Sequence, residues 1–219
     1  MKMIARELEV SLSSVSRWTQ DIELSPEQIA ARDERDRRSP NRRRGAEQRS
    51  QKARLVRMEA QEHGRALARE ADPLHLSGCM LYWAEGSKTR NSVQLTNSDP
   101  DILRCFVMFL MSCYVVRPDL IRLTVNCYLN NGLSLDEIES YWLETLGLPS
   151  TCLRAATVNN PSSASQLKRN TLLYGTARVM VHSTVLIQSI YGAIQEYAGI
   201  DRPEWLDCAP LHLEWPLAG

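Results

Sequence analysis

The stretch from Leu74 to Asp99 constrains the fold of this chain more than any other. Its apolar run Leu81-Tyr82-Trp83-Ala84 stops at Glu85-Gly86, which indicates a buried helix that ends on an acid, with the glycine turning the chain out of the helix. Residues 91–97 then alternate apolar and polar side chains, a pattern that predicts a half-buried strand. The sequence therefore predicts a helix packed beside a sheet, and hence a mixed α and β structure.

Glu85 and Lys88 stand at the predicted end of that helix. A carboxylate there, with an amine close by, could hold a divalent metal over a phosphate. An ion pair at the boundary between two elements explains the same residues, so both interpretations stay open.

Composition narrows the class of protein. The 219 residues, 43% of them apolar, suffice for a folded core in one domain or two. No run of about eighteen apolar residues is present, and the N-terminus lacks the pattern of a secretion signal, so we expect a cytoplasmic protein without a membrane span. Six cysteines without a CxxC pair predict reduced core thiols. No Gly-rich loop follows a strand, so no nucleotide cofactor is expected.

A net charge of zero conceals a strongly basic segment. Residues 32–57 contain 11 Lys and Arg but only 4 Asp and Glu, a concentration typical of contact with a polyanion. A solvated, Arg-rich helix is the alternative interpretation.

Residues 1–21 predict two short helices around a tight turn, with Ser11 capping the second helix. The residues expected to pack the hairpin are Ile4, Ala5, Leu8, Leu12, Val15 and Trp18. This spacing resembles DNA-binding helix-turn-helix segments, and the resemblance implies that Ser13, Ser14 and Arg17 face phosphates and base edges. Glu9 occupies the turn position where such motifs usually have glycine. The helix that normally supports the motif from upstream is also missing. Either the start of the motif has been cut short, or a later helix covers the exposed apolar face. A plain helical hairpin is the alternative to a DNA-binding motif.

Helix-capping residues, prolines and a change in composition predict four regions of the chain. Ser25 caps a third helix that reaches about Arg38, Pro40 interrupts it, and Asn41 caps a fourth helix that reaches about Ala71. Composition changes at Asp72-Pro73. We therefore divide the chain into a helix-turn-helix segment (1–38), an Arg-rich connecting helix (39–72), an α+β domain (73–200) and an irregular tail (201–219).

Within the α+β domain, capping residues and alternation predict the order of elements. We expect helices from Pro100 to about Met111, from Leu135 to Leu146 and from Thr184 to Ala198, and strands over 120–128, 153–158 and 172–181, with a polar loop over 159–170. In the first of these strands Ile121, Leu123, Val125 and Cys127 form the apolar face. Gly175 marks a bulge or a close approach of backbone.

The motifs Leu81 to Lys88 and Asn97-Ser98-Asp99-Pro100 resemble a family of uncharacterised helix-turn-helix proteins from actinobacteria and their phages. Tyr141-Trp142 with Gly147-Leu148-Pro149, then Lys168-Arg169-Asn170 and Tyr174-Gly175, follow in the order of that family. The resemblance covers most of residues 3–198 and implies little about activity.

Ala84-Glu85-Gly86 more distantly resembles the end of the first helix in the LAGLIDADG homing-endonuclease domain. That resemblance implies a saddle-shaped sheet that lies on DNA, a homodimer, and Glu85 as a metal ligand assisted by Arg178 or Lys168. Met80 and Tyr82-Trp83 depart from the family, which has small residues for close helix packing. The domain also occurs in catalytically inactive form, joined to a helix-turn-helix in bacterial regulators.

The sequence thus predicts an α+β protein that binds double-stranded DNA as a homodimeric transcriptional regulator, without a cofactor. Phosphate contacts are expected from Arg42, Arg43 and Arg44, and base contacts from the second short helix. One alternative is a Mg²⁺-dependent DNA endonuclease whose candidate catalytic residues are Glu85, Lys88 and Arg178. Another is a protein interaction module with no nucleic-acid role.

Overall fold

The computed structural model describes residues 2–19, 25–38, 40–129, 132–159 and 172–207, apart from some helix side chains within 2–43. The chain forms two compact units, residues 1–52 and 53–219. The predicted loop over 159–170, including Lys168, lies almost entirely outside the described residues, as does Cys208. Each unit is considered by itself below.

The first unit is helical. Its elements are α1 (Lys2–Glu7), α2 (Leu12–Trp18), α3 (Pro26–Arg38) and the first part of α4 (Pro40–Arg69). The Ser25 hydroxyl accepts the Gln28 N–H at 3.2 Å, and the Gln28 side chain accepts the Ser25 N–H at 3.0 Å, which forms the predicted capping box. α4 begins at Pro40, so Asn41 lies inside the helix and its predicted role as a cap is wrong. Proline suits this first helical position because its missing N–H would have no partner within the helix.

The hairpin of α1 and α2 buries less than its sequence suggests. Only Ala5 and Val15 are buried. The four other residues expected to pack it are between 42% and 59% exposed, namely Ile4, Leu8, Leu12 and Trp18. Helices of six and seven residues make about two turns each, so each brings one side chain to the crossing.

The second unit combines helices with a sheet. After α4 come α5 (Pro73–Glu85), β1 (Val93–Asn97), α6 (Pro100–Cys113), β2 (Ile121–Cys127), α7 (Leu135–Leu146), β3 (Thr157–Val158), β4 (Thr176–Val181), α8 (Thr184–Ala198) and α9 (Glu204–Asp207). The predicted elements are present, with shorter strands: β3 has two residues and β4 begins after Gly175. The tail, expected to be irregular, contains α9.

The sheet has four strands in the order β1-β4-β2-β3. β4 pairs antiparallel with both β1 and β2, whereas β3 pairs parallel with β2. The apolar side of β2 is as predicted, with Ile121, Leu123 and Val125 fully buried. On its polar side Asn126 is exposed, whereas Thr124 is buried at 9% exposure. Helices α5 and α6 pack on the sheet. The protein is therefore a mixed α+β protein with a four-stranded mixed sheet.

Two glycines permit close approaches. The chain leaves α5 at Gly86, as predicted, but with φ −73° and ψ 148°, an extended conformation open to any residue, so the turn itself does not require glycine. A Cβ at Gly86 would instead lie 2.3 Å from the Tyr82 ring. At Gly175, φ is +63°, and a Cβ would lie 2.3 Å from the Asn126 carbonyl oxygen. The expected approach of backbone at Gly175 is thus confirmed.

Among the described helices, none combines the length and apolar character that crossing a bilayer requires.

Candidate nucleic-acid interface

Helix α2 is set by local interactions at its start. The Ser11 side chain accepts the Ser14 N–H at 3.1 Å, which satisfies one of the free donors of the first turn. Glu9 has φ +52°, the left-handed conformation that explains why glycine is usual at this turn position. The Val10 N–H donates to the Ala5 carbonyl at 3.0 Å, which closes the turn between the two helices.

The outward face of α2 has the polar groups expected of a recognition helix. Ser13 and Arg17 are exposed, whereas Ser14 is half-buried. The Ser11 hydroxyl lies 2.7 Å from the Ser13 hydroxyl and 2.9 Å from that of Ser14, so both predicted serines also belong to the capping network. Arg17 offers five N–H donors in a planar fork, the geometry that suits a phosphate or a guanine edge.

Ser16 is a further candidate that the sequence interpretation missed. It is exposed and lies three residues after Ser13 and one before Arg17, which places it on the same side of α2. Its signal was present in the sequence, because Ser16 lies outside the Leu12–Val15 stripe, at helical spacing from Ser13. It adds a hydroxyl that is free of the Ser11 cap.

The basic segment continues into α4. Arg44 is exposed, so its guanidinium is open to a phosphate. Arg42 and Arg43 lie within α4, but their side chains are outside the described part of the structure. Arg49 and Lys52 are also exposed on α4.

A second polar surface lies on the sheet, on the face opposite the buried strand residues. Thr96 of β1, Arg178 of β4 and Thr124 of β2 are direct cross-strand neighbours, so they form one row across the sheet. These three residues line a cleft of about 110 Å³ together with Asn126, Thr157 and Thr176. Hydroxyl, amide and guanidinium groups in such a row can hydrogen-bond to phosphates or base edges.

Glu85 is the last residue of α5 and is exposed. An antiparallel bridge pairs the next residue, Gly86, with Leu95, so α5 ends beside the edge strand β1. Arg178 lies on β4, the strand next to β1. The structure thus places Glu85 beside the strand that contains Thr96, and Arg178 one strand further into the sheet.

Lys88 has a local role at the end of α5. Its amine donates to the carbonyl oxygens of Tyr82 and Gly86 at 3.3 and 2.8 Å, and also to that of Trp83. A cation there satisfies free carbonyls and complements the helix dipole. Partial burial lowers the pKa of Lys88, and the charge of Glu85 opposes that effect. Among the described ion pairs, none joins Lys88 to Glu85, so the amine caps the helix that Glu85 ends.

The sequence predicts a metal site at Glu85. In the described ranges, no group of three His, Cys, Asp or Glu side chains is arranged to hold a metal ion. The predicted site depends on the carboxylate of a second copy. Lys168, the other predicted assisting residue, lies outside the described residues.

The row on the sheet was only partly visible in the sequence. Alternation predicted that Arg122, Thr124 and Asn126 share the polar side of β2, and Arg178 was singled out by its charge. The register that brings Thr96 and Thr176 beside them depends on strand order, which no local pattern specifies.

Comparison with protein-family models, curated proteins and solved structures finds no match to this chain.

Proposed function

We propose that this protein binds double-stranded DNA in a sequence-dependent manner, as a transcriptional regulator, with α2 as the recognition helix. The observation that carries the proposal is the capped hairpin of α1 and α2, whose outward face presents Ser13, Ser16 and Arg17. A short capped helix with one arginine and several hydroxyls has the size and chemistry to enter a major groove.

The basic segment would supply affinity without sequence preference. Arg44, with the predicted contacts Arg42 and Arg43, would neutralise phosphates and release counterions. Binding would then weaken steeply as salt is added, because each neutralised phosphate contributes about 0.9 to the slope of log K against log salt.

The second unit would be a homing-endonuclease-like domain that has lost its activity and pairs two chains. Support comes from the resemblance of Ala84-Glu85-Gly86 to that family and from a polar sheet face that contains Arg178, Thr96 and Thr124. Such a face would lie against DNA, and the homodimer would present two recognition helices to two half-sites.

The decisive experiment compares two arginines of the first unit. Bound sequences are selected from a random duplex library, and the affinities of Arg17→Ala and Arg44→Ala are measured on the selected site and on an unrelated duplex. Arg17→Ala should reduce discrimination between the two duplexes by about 1–3 kcal/mol. Arg44→Ala should weaken both equally and lower the salt slope by about 0.9.

Equal weakening of both duplexes by Arg17→Ala would contradict its role as a base reader. Absence of salt-sensitive binding to any duplex would contradict the proposal as a whole and favour an interaction module.

A second candidate is a Mg²⁺-dependent endonuclease, favoured by the exposed position of Glu85 where α5 ends beside the edge strand β1. Two carboxylates from a homodimer would hold the metal that activates water and stabilises the leaving oxygen. Glu85→Gln should then abolish Mg²⁺-dependent cutting of duplex DNA without lowering Tm. Glu144→Gln, which removes an exposed carboxylate from α7, is the matched control and should cut normally.

A further inference from the structure

A short helix near the described end of the chain docks on α4 and α8. Trp205 and Leu206 of α9 are each 9% exposed, and the Trp205 ring lies 4.8 Å from that of Tyr191. The Gln188 side chain donates to the Trp205 carbonyl at 2.9 Å. Two buried apolar side chains and a buried hydrogen bond therefore fix α9 in place.

This docking engages two arginines of the basic helix α4. The Arg57 side chain, 6% exposed, donates to the Leu206 carbonyl at 2.6 Å and to the Asp207 carboxylate at 3.1 Å. Arg54 approaches the same carboxylate at 3.4 Å. One acidic side chain thus holds two guanidinium groups, and those two belong to the run of basic residues between 32 and 57.

The two pairs differ in exposure. Arg54 and Asp207 are about half exposed, at 52% and 51%, so solvent and other anions reach both groups. A surface pair of this kind contributes little stability, too little to prevent exchange with a phosphate. The Arg57 guanidinium is itself buried and also donates to the Leu206 carbonyl, so Arg57 would stay in place during that exchange.

We propose that Asp207 is an autoinhibitory latch. When DNA is absent, its carboxylate pairs with Arg54, so that this residue of α4 is not free to contact a phosphate. This inference rests on the proposed function, because it describes regulation of the phosphate-binding helix. Asp207 competes with a DNA phosphate for the same guanidinium, and its own negative charge also opposes the approach of the backbone.

The test is a double-mutant cycle on full-length protein, with affinity for a mixed-sequence duplex measured over a salt series. Asp207→Asn keeps the shape of α9 and its Trp205 anchor but frees Arg54. Binding should become severalfold tighter at low salt, and the slope of log K against log salt should steepen by about 0.9. In an Arg54→Gln background the same substitution should have little effect.

The matched control is Glu204→Gln, which removes the same charge from the same short helix. Glu204 pairs with Arg202 at 3.3 Å rather than with α4. Its effect on affinity should be smaller than that of Asp207→Asn, and should not depend on whether residue 54 is Arg or Gln.

The outcomes separate the two proposals. Wild-type protein that binds DNA, with equal effects of Asp207→Asn and Glu204→Gln, overturns the latch and leaves DNA binding intact. Protein that binds no duplex in any variant overturns the proposed function itself. If Asp207→Asn lowers Tm, Arg54→Gln in otherwise wild-type protein decides: the latch predicts a small loss of affinity and little change of the salt slope, and a slope lowered by about 0.9 would overturn the latch.

Discussion

The two units of this protein are stabilised in different ways. The hairpin of α1 and α2 buries Ala5 and Val15, and is otherwise held by the Ser11 cap and a turn at Glu9. The second unit packs a continuous apolar core around its sheet, in which Trp142, Tyr82 and Phe106 are fully buried. Local hydrogen bonds thus specify the hairpin, whereas burial specifies the domain.

This difference bears on function. A segment with few buried contacts opens readily, and a recognition helix gains order from the surface that it binds. A domain with a closed core supplies a rigid platform for its polar sheet face. Substitutions that affect one unit and spare the other test this contrast, and matched pairs of residues make it quantitative.

The largest expected difference is between two tryptophans. Trp142 is fully buried, and its ring N–H donates to the Tyr174 carbonyl at 2.8 Å, so Trp142→Ala should cost about 3–5 kcal/mol of unfolding free energy. Trp18 is 59% exposed, so Trp18→Ala should change stability by less than about 0.5 kcal/mol. Urea unfolding followed by circular dichroism measures both, and similar costs would contradict the contrast.

A second pair compares two glycines within helices. A Cβ at Gly192 would lie 2.0 Å from the Gln61 carbonyl oxygen, in the crossing of α4 and α8, so Gly192→Ala should cost about 1–3 kcal/mol through overpacking. At Gly45 a Cβ would meet nothing within 4 Å. Gly45→Ala should therefore stabilise α4 by about 0.5–1 kcal/mol.

Thermal unfolding of both glycine variants is the measurement. A Gly192→Ala protein as stable as wild type would mean that α4 and α8 do not approach so closely.

A smaller effect is expected at the hairpin turn. Glu9 adopts φ +52°, which costs an L residue about 1–2 kcal/mol, so Glu9→Gly should stabilise the hairpin by up to about 1 kcal/mol, after the entropy lost with glycine. Gly147 caps α7 at φ +62°, so Gly147→Ala should instead destabilise the end of α7. Hydrogen exchange of the Val15 amide reports the first change, and faster exchange in Glu9→Gly would contradict it.

The smallest effect concerns a buried histidine. His75 is 2% exposed, and its ring nitrogens lie 3.1 Å from the Tyr114 hydroxyl and 2.8 Å from that of Tyr197. Burial lowers the pKa of His75, against the opposing charges of Asp72 and Glu70. As the pH falls below about 6.5, the ordinary pKa of histidine, His75 is therefore protonated in the unfolded state before it is protonated in the folded state.

The sign follows from that order of protonation. The contribution of His75 to stability is fully present above pH of about 6.5, and is lost as the pH falls through the lowered folded pKa. NMR titration of the ring protons of His75 measures the shift. A His75 pKa at or above the ordinary value of about 6.5 would contradict the burial.

Local signals predicted the elements well. Ser134 with Glu137 and Asp99 with Pro100 are helix starts that neighbouring residues in the sequence indicate. Alternation in β2 likewise identified its buried side. The α+β class was therefore predictable.

Properties that depend on distant residues were not predictable. Gly86 is required by the Tyr82 ring, and the row of Thr96, Arg178 and Thr124 depends on the position of β4 between β1 and β2. The contact of Arg57 with Leu206 joins residues 149 positions apart. The exposure of Trp18 was missed because helical spacing indicates an apolar face without showing what covers it.

The measurement that tests the central claim most directly is binding of the purified protein to mixed duplex DNA across a salt series, with and without Mg²⁺, on a gel that resolves both shifts and cuts. DNA binding by a regulator predicts a shift that weakens steeply with salt and intact DNA in both conditions. Cutting that requires Mg²⁺ would replace the regulator with the endonuclease, and no shift at any salt concentration would contradict DNA binding altogether.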